Sequence, residues 1–205
     1  MLKVHNWQDI GLQSLDIILC EGTHKLSRRI QKFQKFTGAP KEAAKISHVA
    51  NISGHNSLLV QESTSIGFDG QNGCQEHEVG LWLEHYPGRV WVRKLDFERT
   101  TAFYRDDWAF WQVHKDEPYE HGIAGGLELL LCGLRWHLYI REFFPNYRPP
   151  ATKNPHCGEL GAKRIHEHQL WNCKIFSNRM PPWIWVSEID KWLKVPISEP
   201  ILIKG

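Results

Sequence analysis

The chain has 205 residues, 41% of them hydrophobic and 23% charged, which is long enough to bury a core and too apolar for a disordered segment. A formal net charge of +2 is close to balance and argues against a surface built to bind nucleic acid. Residues 1–20 carry Lys3, His5, Asp9 and Asp16 with no apolar run, and no long apolar window follows, so neither a secretory leader nor a membrane span is expected.

Taken in chain order, residues 15–19 form an apolar run led by Asp16 and read as a short buried strand. Residues 24–36 place Leu26, Ile30 and Phe33 at helical spacing, with Thr23 as the expected N-cap and Gly38 and Pro40 as the stop. The other side of that helix carries Lys25, Arg28, Arg29, Lys32 and Lys35, either a solvated face or a landing site for an anionic lipid or cell-wall polymer. Residues 46–52 and 58–62 read as two strands joined by the turn signal Ser53-Gly54-His55-Asn56-Ser57. Residues 67–80 are Gly-rich and polar and read as a loop, and residues 88–95 alternate as a strand. Helices are expected over 100–115, 122–143 and 157–170, with a strand or packed tail near Ile201 to Ile203. The order predicts an α+β fold in one domain spanning residues 1–205.

Five cysteines (Cys20, Cys74, Cys132, Cys157, Cys173) make an odd set with no C-x-x-C pair. That pattern fits reduced thiols in a cytoplasmic protein better than a disulfide framework or a zinc module. Cys74-x-x-His77 and the His166/His168 pair have ligand chemistry but lack a completing pair, so no metal or other cofactor is expected. Cys157 is the thiol with a chemical context. It follows Asn154-Pro155-His156 and opens a helical stretch, where unsatisfied amides and the helix dipole favour thiolate and could hold an oxyanion. If the hairpin turn centres on His55, His48 lies directly across from Glu62, about 4.5–5.5 Å away at Cβ. Glu62 would then orient one ring nitrogen of His48 and leave the other for a nucleophile.

Several of these segments together resemble a known family. Asp16-Ile17-Ile18-Leu19 with Leu26-Ser27-Arg28, then Ser47-His48-Val49, then Gln61-Glu62-Ser63-Thr64-Ser65-Ile66-Gly67, and finally Cys157-Gly158-Glu159-Leu160 follow one another as in circularly permuted papain-like proteins. These are related to NlpC-type peptidases and include YiiX-like proteins and the lecithin–retinol acyltransferases. Pro118-Tyr119-Glu120 resembles the family's Pro-Tyr-Asp element. The likeness spans roughly residues 12 to 170. Departures are Gly158 where Ser is usual, Glu120 where Asp is usual, and a long middle section.

The resemblance implies a papain-like fold with a small antiparallel sheet against helices. It also implies a thiol-dependent hydrolase with Cys157 as nucleophile, His48 as base and Glu62 as orienting group, and with Tyr119 and Ser47 near the substrate. The substrate would be a peptide, amide or other acyl compound. The residues leave two alternatives open: lipid acyl hydrolysis or transfer at a membrane surface touched by Lys25, Arg28, Arg29 and Lys32, and a non-catalytic binding module.

Overall fold

The computed structural model describes residues 3–54, 57–65, 67, 70–119, 157–171, 184–187 and 189–205. The helix expected over 122–143 and the residues Glu120, Cys132, His156 and Cys173 lie outside them. The architecture is α+β. Six strands, β1 (Ile17–Gly22), β2 (His48–Gly54), β3 (Leu58–Thr64), β4 (Gly73–Glu78), β5 (Gly88–Arg93) and β6 (Ile201–Lys204), form one sheet in the order β4-β3-β2-β1-β5-β6. Every neighbouring pair is antiparallel. The α-helices among the described residues are α1 (Lys25–Phe36), α2 (Val79–His85), α3 (Thr101–His114), α4 (Cys157–Glu167) and α5 (Ile184–Ser187).

Both faces of the sheet are covered, which explains why β1 reads as an unbroken apolar run rather than an alternating one. Ile17 and Leu19 join Val49 and Leu95 on one face, under Ala162 and Ile165 of α4 and Ile184 and Trp185 of α5. Ile18 and Cys20 join Ala50, Ile52, Val60, Val90 and Val92 on the other, under Val79, Trp82 and Leu83 of α2. Asp16, led into β1, is the polar exception. Its carboxylate accepts from the amides of Gln13 (2.9 Å) and Leu95 (3.1 Å) and pairs with Arg99 (3.0 Å).

The structure departs from the sequence reading in three places. Residues 67–80 are not all loop: the whole of β4 pairs with Leu59 to Thr64 of β3, and α2 follows at once with the Glu78 carboxylate capping Leu81 N–H at 2.8 Å. Thr23 does not cap α1; its hydroxyl donates to Pro87 O at 2.7 Å, and His24 takes the N-cap position without a side-chain bond. The hairpin register pairs Asn51 with Gln61 and Ile52 with Val60, two residues beyond what a turn at His55 requires. Continuing that register puts Glu62 beside Ala50, diagonal to His48. Because the strand period is two, this shift keeps Glu62 on the face of His48. Among the described residues no helix is long and apolar enough to cross a membrane.

Candidate active site

Three chain segments deliver the candidate groups, two of them at the first residue of an element. His48 begins β2, directly across from Cys20 on β1, and Cys157 begins α4. The body of α4 seats itself by close backbone approach. A Cβ on Gly161 would lie 2.9 Å from Asn51 Oδ1 and 3.2 Å from the Trp185 ring, so glycine lets the helix settle near β2 without displacing these side chains. Glu62 comes from β3, and Trp82 from α2 supports it.

The geometry is a chain of hydrogen bonds. His48 Nε2 lies 2.5 Å from Glu62 Oε2, and Trp82 Nε1 donates to Glu62 Oε1 at 3.0 Å. The two side chains are 14% and 5% exposed, so this pair is shielded from water. Cys157 hydrogen-bonds the imidazole. With Nε2 committed to Glu62, Nδ1 is the nitrogen left for the thiol. Cys157 itself is 9% exposed.

Electrostatics follow from this arrangement. Burial works against a charged imidazole, yet the charge and hydrogen bond of Cys157, then those of Glu62, outweigh it and raise His48 from 6.5 to about 10. Burial likewise opposes charge on Glu62, but His48 and the Trp82 N–H hold its carboxyl below the usual 4.5. The site therefore favours a carboxylate, a protonated ring and a sulfur in one hydrogen-bonded line.

A second thiol stands close by. Cys20 is fully buried opposite His48, and burial, reinforced by the charge of Glu62, pushes it well up, while its bond to Tyr86 offsets only part of this. Tyr86 stacks on Trp82 with ring centroids 4.8 Å apart. Trp82, Tyr86 and Cys20 escaped the sequence reading. The one available signal was the four-residue spacing of Trp82 and Tyr86, which marks one helix face.

The remaining candidates fall as follows. Ser47 is buried and spends its hydroxyl on β1, accepting Gly22 N–H at 3.1 Å and lying 3.5 Å from Cys20 O. These contacts brace the start of β2. Tyr119 is half-buried in a segment laid against β4, where Cys74 N–H donates to Glu117 O at 2.8 Å. Gly73, at φ 104°, lets this segment close in, since a Cβ there would meet Glu117 O at 2.5 Å. Gly73 pairs with Thr64, so Tyr119 sits at the sheet end where β2 begins.

Among the described residues no group of three His, Cys, Asp or Glu side chains could hold a metal ion. Cys74 packs with Phe110, Trp111 and Leu160, while His77 meets Gln75 at 3.0 Å and His168 lies 3.3 Å from Asp107. A groove of about 530 Å³, lined in part by Glu21, Thr23, Arg28, Tyr86 and Arg89, meets the cluster through Tyr86. No protein-family model matches the chain, and no curated protein matches it either.

Proposed function

We propose that this protein is a thiol-dependent hydrolase of papain-like type that cleaves an amide or peptide bond through an acyl-thioester on Cys157. The observation that carries the proposal is the line Cys157–His48–Glu62, in which a buried carboxylate orients a ring that hydrogen-bonds a thiol at a helix start. The permuted order of the motifs supports the same reading.

In this scheme the proton of Cys157 rests on His48, and the thiolate attacks the substrate carbonyl carbon. The developing oxyanion takes hydrogen bonds from backbone amides at the start of α4. Collapse of the tetrahedral intermediate breaks the C–N bond. His48 gives its proton to the departing amine, leaving a thioester. Water then attacks the thioester as His48 removes its proton, and the carboxylic acid leaves with the thiol restored. Glu62 stays ionised throughout, holding the ring in one orientation, and Trp82 fixes Glu62 in turn. Lipid acyl hydrolysis or transfer would use the same thioester, and the observation on its side is the exposed face of α1.

Alkylation by a chloroacetamide probe at neutral pH, read by peptide mass spectrometry, tests the chemistry. Cys157 is expected to react selectively, and His48→Ala to slow it by about 10²–10⁴-fold. Uniform slow labelling of the thiols, indifferent to His48→Ala, would reject the proposal.

A further inference from the structure

A helix on a protein surface ordinarily turns its apolar stripe to the core. α1 does not. It is fastened to the body by side-chain amides: Gln31 Nε2 donates to Gly22 O (3.0 Å) and Lys45 O (2.9 Å), and Gln34 Nε2 to Ala44 O (3.2 Å) and Ile46 O (2.7 Å). Its own apolar residues, Leu26, Ile30, Phe33 and Phe36, join none of the core clusters formed by the described residues. Leu26 is 47% exposed and Phe36 80%.

At about 100° per residue, Leu26, Ile30 and Phe33 lie within about 60° of one another, beside the edge held by Gln34 and Gln31. Arg29, Phe36, Lys25 and Lys32 fill the next ~100° of the surface, away from the body. The helix sequence KLSRRIQKFQKF contains five cations and no acid. Arg28 continues this charge onto the rim of the groove that reaches Tyr86.

We infer that α1 is a docking helix for an anionic lipid bilayer. Leu26 and Phe36 enter the boundary between headgroups and acyl chains, while Lys25, Arg29 and Lys32 extend to lipid phosphates and carboxylates. The occupant must be both apolar and negatively charged, because the exposed stripe and the cations share one side of the helix. A nucleic acid would satisfy the cations and leave Phe36 in water. A second copy of the chain would bring like charges together. The inference does not depend on the thiol chemistry.

The test is flotation of the full chain with vesicles of phosphatidylcholine alone, or with roughly one third phosphatidylserine. Wild type is expected to float only with the anionic vesicles, and more weakly as salt rises. Arg29→Glu with Lys32→Glu should lower partitioning by about tenfold or more, and Phe36→Ser, at a side chain outside the core, by several-fold to about tenfold. Cys157→Ala should float like wild type, so a failure here is distinguishable from a failure of the hydrolase reading. Absence of binding at low salt would overturn the inference, as would binding indifferent to Phe36→Ser. Concentration-dependent dimerisation abolished by Phe36→Ser, without vesicle binding, would overturn it in favour of a second copy.

Discussion

Two thiols flank His48, and their surroundings separate them. Cys20 lies within the sheet under α2, held neutral by burial and by the nearby charge of Glu62. Cys157 opens α4 and hydrogen-bonds the ring, and it supplies the first of the influences that raise the imidazole. The consequence is measurable on the imidazole. Heteronuclear NMR should show the His48 ring titrating near 10 rather than at its ordinary 6.5. Cys157→Ala removes the largest raising influence and should move the titration toward neutrality, whereas Cys20→Ala should leave it close to the native value. A ring that titrates at its ordinary position in the native protein would remove the ion pair from the mechanism.

The alignment of Cys157 with His48 depends on how closely α4 sits on the sheet. Gly161 sets that distance against Asn51 and Trp185, both buried. Gly161→Ala adds a methyl group to a packed contact, at a cost of about 1–3 kcal/mol, while improving helix propensity by about 1 kcal/mol. The net loss of stability in urea melts should therefore be small. The Cys157 alkylation rate should fall by a larger factor, because lifting the helix displaces the sulfur from the ring. Equal loss in both measurements would assign Gly161 to stability alone.

Across the whole molecule, α4 is also tied to α3 by a buried ion pair. Asp107 receives Arg164 Nε at 2.6 Å and Nη2 at 2.5 Å, and Ser14 Oγ donates to it at 2.9 Å from the segment before β1. Asp107→Asn leaves Arg164 buried without its counter-charge and should cost about 3–5 kcal/mol in denaturant melts. Asp107→Leu with Arg164→Met should recover much of that loss. Burial opposes charge on Asp107, but Arg164, His168 and Ser14 hold its carboxyl well below the ordinary 3.8. A depressed carboxyl stabilises the fold above its unfolded value and loses that contribution as protons are added. The difference between native and Asp107→Asn stability should thus be full near neutrality and shrink below about pH 4. A pH-independent difference would assign the tie to packing rather than charge.

Local pattern determined much of this arrangement. Apolar runs and alternation mark β1, β2, β3 and β5, and the helix expected over 100–115 is α3, where the Thr100 hydroxyl accepts Phe103 N–H at 3.2 Å. The candidate trio was also legible. Strand period two keeps His48 and Glu62 on one face even though the register is shifted by two residues, and Cys157 was visible as a helix start. Other features depended on contacts distant in sequence. β4 is polar and Gly-led, and it is a strand because β3 offers its edge and Glu117 O receives Cys74 N–H. Ser47 turned inward because Gly22 N–H needed an acceptor, and Trp82 reached Glu62 because α2 crosses the same face of the sheet. The amphipathic pattern of α1 was plain in the sequence, but its orientation was not. Periodicity defines an apolar stripe without saying what it meets, and only the tertiary structure, by anchoring α1 through Gln31 and Gln34, left Leu26 and Phe36 exposed.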